Sequence, residues 1–143
     1  MIPTMPDVDR LLTDAVREGL PEARVCVLMP PDWLESLPLV LVRQVPGGSS
    51  DFRGVATVTV DVQAIAGTRR DASALARKAR AALIAACVAG FANDEGYLGA
   101  FRDVSGLPVE IRGGQPGDDP HQYFRFQGTY QVVVRPVRRR RSS

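Results

Sequence analysis

Apolar residues recur along this chain with two different periods, and the changes of period mark its elements. Between Asp7 and Leu20, Val8, Leu11, Leu12, Ala15 and Val16 fall at helical spacing and give one apolar face. Asp7 is placed to cap that helix, and Gly19 followed by Pro21 ends it. Arg24 to Met29 is a short β-rich run closed by Pro30-Pro31. Leu37 to Val45 is nearly all apolar, which predicts a strand covered on both faces. Pro46-Gly-Gly-Ser-Ser50 reads as a loop, the most flexible internal segment expected.

From Phe52 to Ile65 the period drops to two. Phe52, Ala56, Val58, Val60, Val62 and Ala64 share one face; Arg53, Thr57, Thr59, Asp61 and Gln63 share the other. That is a strand with one wet face, as in an antiparallel sheet covered on one side. A helix is predicted from about Asp71 to Gly90, with Leu75, Ala79, Ala82, Leu83, Ala86 and Cys87 as its buried stripe. Its alanines favour the helix and permit close approach to a sheet. Leu98 to Val104 and Leu107 to Arg112 read as a strand pair or one interrupted strand. Gly113 to Pro120 is a loop of turn formers. Tyr123 to Val134 closes the pattern, with Phe124, Phe126, Tyr130, Val132 and Val134 on one face. The order predicts an α+β fold, a mostly antiparallel β-sheet with two main helices packed on one face.

Composition narrows the function. The 143 residues fit one domain, expected over residues 5–136, and 45% hydrophobic with 24% charged residues is an ordinary globular balance. The net charge of +2 hides an asymmetry. Arg135 and Arg138 to Arg141 hold five of the 18 basic residues; the other 13 face 16 acids, a balance of −3. Residues 137–143 lack a core-forming pattern and are expected to be a disordered, Arg-rich tail. Arg138, Arg139, Arg140 and Arg141 could meet phosphates of nucleic acid, acidic patches of a protein partner, or solvent alone. No stretch approaches the roughly 18 apolar residues that span a membrane, and no leader pattern opens the chain, so a soluble protein made in a cytoplasm is expected.

Catalysis finds little to work with. Cys26 and Cys87 belong to no CxxC pair and read as small buried hydrophobes; His121 is the one histidine. Asp118-Asp119-Pro-His121 reads as a solvated acidic turn, with a hard-cation site as the alternative. Asn93-Asp-Glu-Gly96 reads as a polar turn, with a metal or a basic partner as alternatives. No phosphate loop, nucleophile elbow or zinc-protease motif is present. A non-enzyme without cofactor or metal is expected. The long alternating strands lack evident edge protection and point to pairing with other chains.

Four segments together resemble the tail-terminator, or tail-completion, proteins of long-tailed bacteriophages. They are Met5-Pro-Asp-Val-Asp-Arg-Leu-Leu12, the strand and glycine-rich loop Leu37 to Gly48, Val58 to Gly67 running into the Ala-rich helix, and Tyr123 to Val134. The likeness spans about residues 5 to 136. It implies a structural virion protein at the head-proximal end of the tail. Such a protein closes into a homo-hexameric ring, caps the tail tube protein and meets the head–tail connector protein. Genomic DNA crosses its lumen. The resemblance brings no active-site residues. Ring closure needs two different patches on each copy. Arg53, Asp61, Asp118 and Asp119 are the expected contacts to neighbouring subunits or the tube. The readings weighed against it are a connector or stopper subunit and a nucleic-acid-binding module using the Arg tail.

Overall fold

The computed structural model describes residues 2–111 and 123–137. Two α-helices, α1 (Val8–Gly19) and α2 (Arg69–Ala89), accompany six strands. The strands are β1 (Arg24–Cys26), β2 (Leu39–Ser50), β3 (Ala56–Ala66), β4 (Gly96–Asp103), β5 (Val109–Ile111) and β6 (Phe124–Pro136). They form one sheet in the order β1-β2-β3-β6-β4, with β5 also beside β6. Only β1 and β2 run parallel, joined through residues 27–38 and a 3-10 turn at Trp33–Ser36. Parallel neighbours need such a crossover. All other pairings are antiparallel, so the α+β architecture is the one expected.

The centre of the sheet is the β3–β6 ladder, with Ala56 opposite Val134 and Ala66 opposite Phe124. Period two then puts Val58, Val60, Val62 and Ala64 beside Val132, Tyr130 and Phe126 on one face. Both helices cover that face. Leu11, Leu12 and Val16 of α1 and Leu75, Ala79 and Leu83 of α2 complete its core. The helices touch where Gly19 meets Ala82; a Cβ on Gly19 would lie 2.8 Å from that of Ala82. Asp7 caps α1 by accepting from the Arg10 amide, and Thr68 caps α2 by accepting from Asp71. Gly90 ends α2 in the left-handed conformation.

Three expectations change, and one open alternative is decided. Pro46 to Ser50 is strand, not loop: β2 continues through a bulge between Val45 and Gly48 and stays paired to β3. Gly47 and Gly48 have φ of 117° and 119°, open to glycine alone, and Pro46 sits where the ladder is already interrupted. Phe52 and Arg53 occupy the turn before β3, so neither belongs to a strand face. The two stretches after α2 form one interrupted line, since β4 pairs with β6 from Pro136 to Tyr130 and β5 continues from Gln127 to Arg125. Finally, the long alternating strands β3 and β6 are interior, each flanked on both sides. Their edges are unavailable to another chain.

Gly128 lies between Phe126 and Tyr130 on the core face, and a Cβ there would overlap the Tyr130 hydroxyl. Tyr130 is fully buried. Gly128→Ala is expected to displace the ring and cost about 1–3 kcal/mol. Gly67→Ala, where nothing lies within 4 Å, should leave the urea midpoint near wild type. Equal midpoints for both variants would refute this account of the packing.

Candidate interaction surface

The sheet face away from the helices is where polar chemistry gathers. One end is closed by a small second core of Leu39, Leu41, Ile65 and Tyr123, under Trp33, whose ring stands edge-on to Tyr123 at 4.7 Å. The middle of the face carries polar rows across three strands. Arg43, Asp61 and Thr129 share one row, and Gln63 and Gln127 the next. This is the face expected to be wet, yet Asp61 is 5% exposed and Thr59 7%. Long neighbouring side chains fold over them, which alternation alone cannot reveal.

Asp61 is held within the chain. Its carboxylate accepts from Gln63 Nε2 at 3.0 Å and from Gln127 Nε2, and Arg43 Nε stands 3.9 Å away. Gln63 in turn accepts from Arg125 Nη1 at 3.3 Å. A parallel chain runs from Arg102 to Gln131 and on to Thr59 Oγ1, 3.3 Å from Gln131 Nε2. Beside it, Gly48, Ser49, Thr57, Arg102, Gln131 and Val133 line an open depression of about 600 Å³. The Arg125 Nε atom is buried without a hydrogen-bond partner among the described residues.

The two expected contacts Arg53 and Asp61 are not brought together. Arg53 is exposed at the hairpin tip, its amide donating to Asp51 and its guanidinium 5.8 Å from the Phe52 ring centroid. Asp61 lies inside the polar network. Asp118, Asp119, His121 and Arg138 to Arg141 lie outside the described residues. Asp94 and Glu95 have a job the sequence did not disclose. Arg10 pairs with Asp94 at 2.9 Å and Glu95 at 3.3 Å, and Glu95 accepts from the Asp7 amide at 2.8 Å. The turn after α2 thereby receives the positive N-terminus of α1.

Sheet edges are blunted by specific contacts. Asp9 accepts from the Gln44 amide at 2.7 Å on β2, beyond the reach of β1. Leu98 of β4 donates to Phe91, and Asn93 to Gly96, so residues 91–93 cover part of that edge. Such devices discourage strand addition.

Titration marks packing rather than reactivity. Burial pushes the Cys87 thiol up to about 11 and the Tyr130 hydroxyl up to about 12. Arg80 donates to both Asp103 oxygens, at 2.9 and 2.6 Å. The hydrogen bond from Arg80, aided by its charge, holds the Asp103 carboxyl below its usual value against partial burial. Among the described residues, no three His, Cys, Asp or Glu side chains are grouped to hold a metal ion, and no helix is long and apolar enough to cross a membrane.

One face of the sheet is sealed by helices and the other is laid out as a polar relief, an α+β fold of strand-rich content. Comparison with family models supplies the particular class: residues 4–140 match the phage tail termination protein family, and the chain belongs to it. It is therefore a structural component of a bacteriophage tail. No curated protein matches the chain.

Two outcomes follow from the networks. Asp61→Ala strands the amide donors of Gln63 and Gln127 and should cost about 1–3 kcal/mol in urea unfolding; an unchanged midpoint would mean the network is idle. Asp103, with its folded pKa depressed, stabilises fully above the ordinary aspartate range, and this is lost as pH falls through the lowered value. Asp103→Asn should therefore destabilise at pH 7 and approach wild type in acid. A deficit independent of pH would contradict the pairing.

Proposed function

We propose that this chain is the ring-forming tail terminator, a homo-hexameric cap on the tail tube protein that also meets the head–tail connector protein. The observation that carries the reading is the family match over residues 4–140. The chain acts as one domain over residues 5–136, with no catalytic step. Genomic DNA passes through the lumen. The balance of −3 outside Arg135 and the Arg138–Arg141 run suits passage, since an acidic wall does not grip a polyanion.

Ring closure by a head-to-tail contact requires two unlike patches on opposite sides of one copy. Two such patches support the reading. Leu28 and Leu34, 70% and 45% exposed, follow β1 at one end of the strand order. Val104, Leu107 and Val109, all more than half exposed, lie on β5 and the link from β4 at the other. With the strand edges blunted, these side chains are the natural joint. Arg53 on the exposed tip is available to a neighbouring subunit or the tube, as Asp118 and Asp119 are proposed to be. Asp61 contributes by shaping the face around Arg43 and Gln127.

The test is the native mass. Wild type should run near six subunits, and Leu34→Asp and Leu107→Asp should each run as small species. Mixing the two variants leaves one intact joint per pair and should yield heterodimers without rings. Rings of unchanged mass from either variant would sink this placement of the interface. Rings that bind portal assemblies and ignore tail tubes would move the protein to a connector or stopper position.

A further inference from the structure

Two exposed apolar patches, at opposite ends of the strand order, are each held still by contacts of their own. At the β1 end the 3-10 turn at Trp33–Ser36 is braced. Trp33 stands edge-on to Tyr123, and Arg24 pairs with Asp32 at 3.3 Å. The Ser36 hydroxyl accepts from Arg24 Nη1 at 2.7 Å and donates to the Asp32 carbonyl at 3.0 Å. Leu34 is exposed on that turn, with exposed Leu28 before it. At the other end, the Val104 and Ser105 amides both donate to the Thr129 carbonyl, at 3.0 and 3.3 Å. The Thr129 amide donates back to Ser105 Oγ at 3.0 Å. Val104, Leu107 and Val109 stay more than half exposed around this pinned link. Segments ordered before association lose less freedom in forming a contact.

Charge distinguishes the two ends. Between residues 24 and 38 the charged side chains are Arg24, Asp32 and Glu35. Arg24 and Asp32 satisfy each other. Glu35, next to Leu34, is exposed and has no ion pair among the described residues. Between residues 102 and 111 the charged side chains are Arg102, Asp103 and Glu110. Asp103 is taken by Arg80 at 2.6 Å and Glu110 by Arg69 at 2.7 Å. Arg102, two residues before Val104, is exposed; it donates to the neutral Gln131 side chain and meets no carboxylate among the described residues. One end thus presents an apolar patch with a spare carboxylate, the other an apolar patch with a spare guanidinium. Each supplies what the other lacks.

We propose that each end docks the opposite end of a second copy, with Glu35 of one copy paired to Arg102 of the next at the rim of the apolar contact. The proposal rests on the ring-forming reading above and adds the charge pair that orients the joint. An apolar centre with a charged rim is the layout of a protein interface. A rim ion pair adds little affinity, but like charges set against each other are costly. The pair therefore fixes which end meets which. Two copies joined by the same end would bring like charges together. The joint is head-to-tail, the kind that closes a ring.

The experiment measures native mass against protein concentration for the full chain, for Glu35→Arg, for Arg102→Glu and for an equal mixture of the two variants. Both residues are exposed, so the urea midpoints of the variants should match wild type. Each variant alone sets like charges together at every joint and should need roughly tenfold more protein to assemble. In the mixture, alternating copies restore opposite charges at every joint. Rings with an even number of subunits should then reappear at the wild-type concentration. Variants that assemble as wild type does would overturn the pair and leave the ring reading intact. Variants that fail alone and are not rescued by mixing would show that positions 35 and 102 do not meet, with the same consequence. Variants that assemble normally but no longer bind tail tubes would assign the two ends to another protein and overturn the proposal. A wild type that stays a single chain at every concentration would overturn the pair and the ring reading together.

Discussion

The long antiparallel register between β3 and β6 is the constraint on which the rest of the molecule depends. With Ala56 opposite Val134 and Ala66 opposite Phe124, every second residue of both strands points the same way. A slip of one residue would send Val58, Val60, Val62, Tyr130 and Val132 to the open face. That register therefore decides where the helices lie. It also decides which residues are left to face outward. The alanines of α2 allow the helix to lie low on this ladder, and Gly128 makes room for Tyr130 within it.

The same register builds the polar relief. Asp61, Gln63, Thr59, Gln127 and Gln131 arrive on the open face because they alternate with the core residues. Their side chains satisfy one another, so a carboxylate survives near-complete burial without a helix above it. The result is a rigid, shaped surface. Blunted edges discourage strand addition, which leaves the faces of this tail-termination family member as its exposed surfaces.

Long-range ion pairs fix the ends of the molecule to that frame. Arg10 with Asp94 and Glu95 ties α1 to the turn before β4, and Arg80 with Asp103 ties α2 to the end of β4. The first holds the N-terminal segment beside the end of β6. Exposed pairs of this kind add little stability singly; here they set position.

Period and punctuation determined much by themselves. The face of α1, the stripe and C-terminal stop of α2, and the inward residues of β3 and β6 were legible because each follows from local spacing. The family was legible too, from the order of four segments. Tertiary structure decided the remainder. Pro46 to Ser50 became strand because β3 offered a partner across a glycine bulge, overriding a local loop signal. Asp61 became buried because Gln127, 66 residues away, lies beside it. The strands that seemed open to other chains turned out to be central, and large exposed apolar side chains fell to short elements with weak local patterns, at Leu28, Leu34 and Leu107. Sequence spacing tells which way a side chain points within its element. Only the packing of elements tells what stands opposite it.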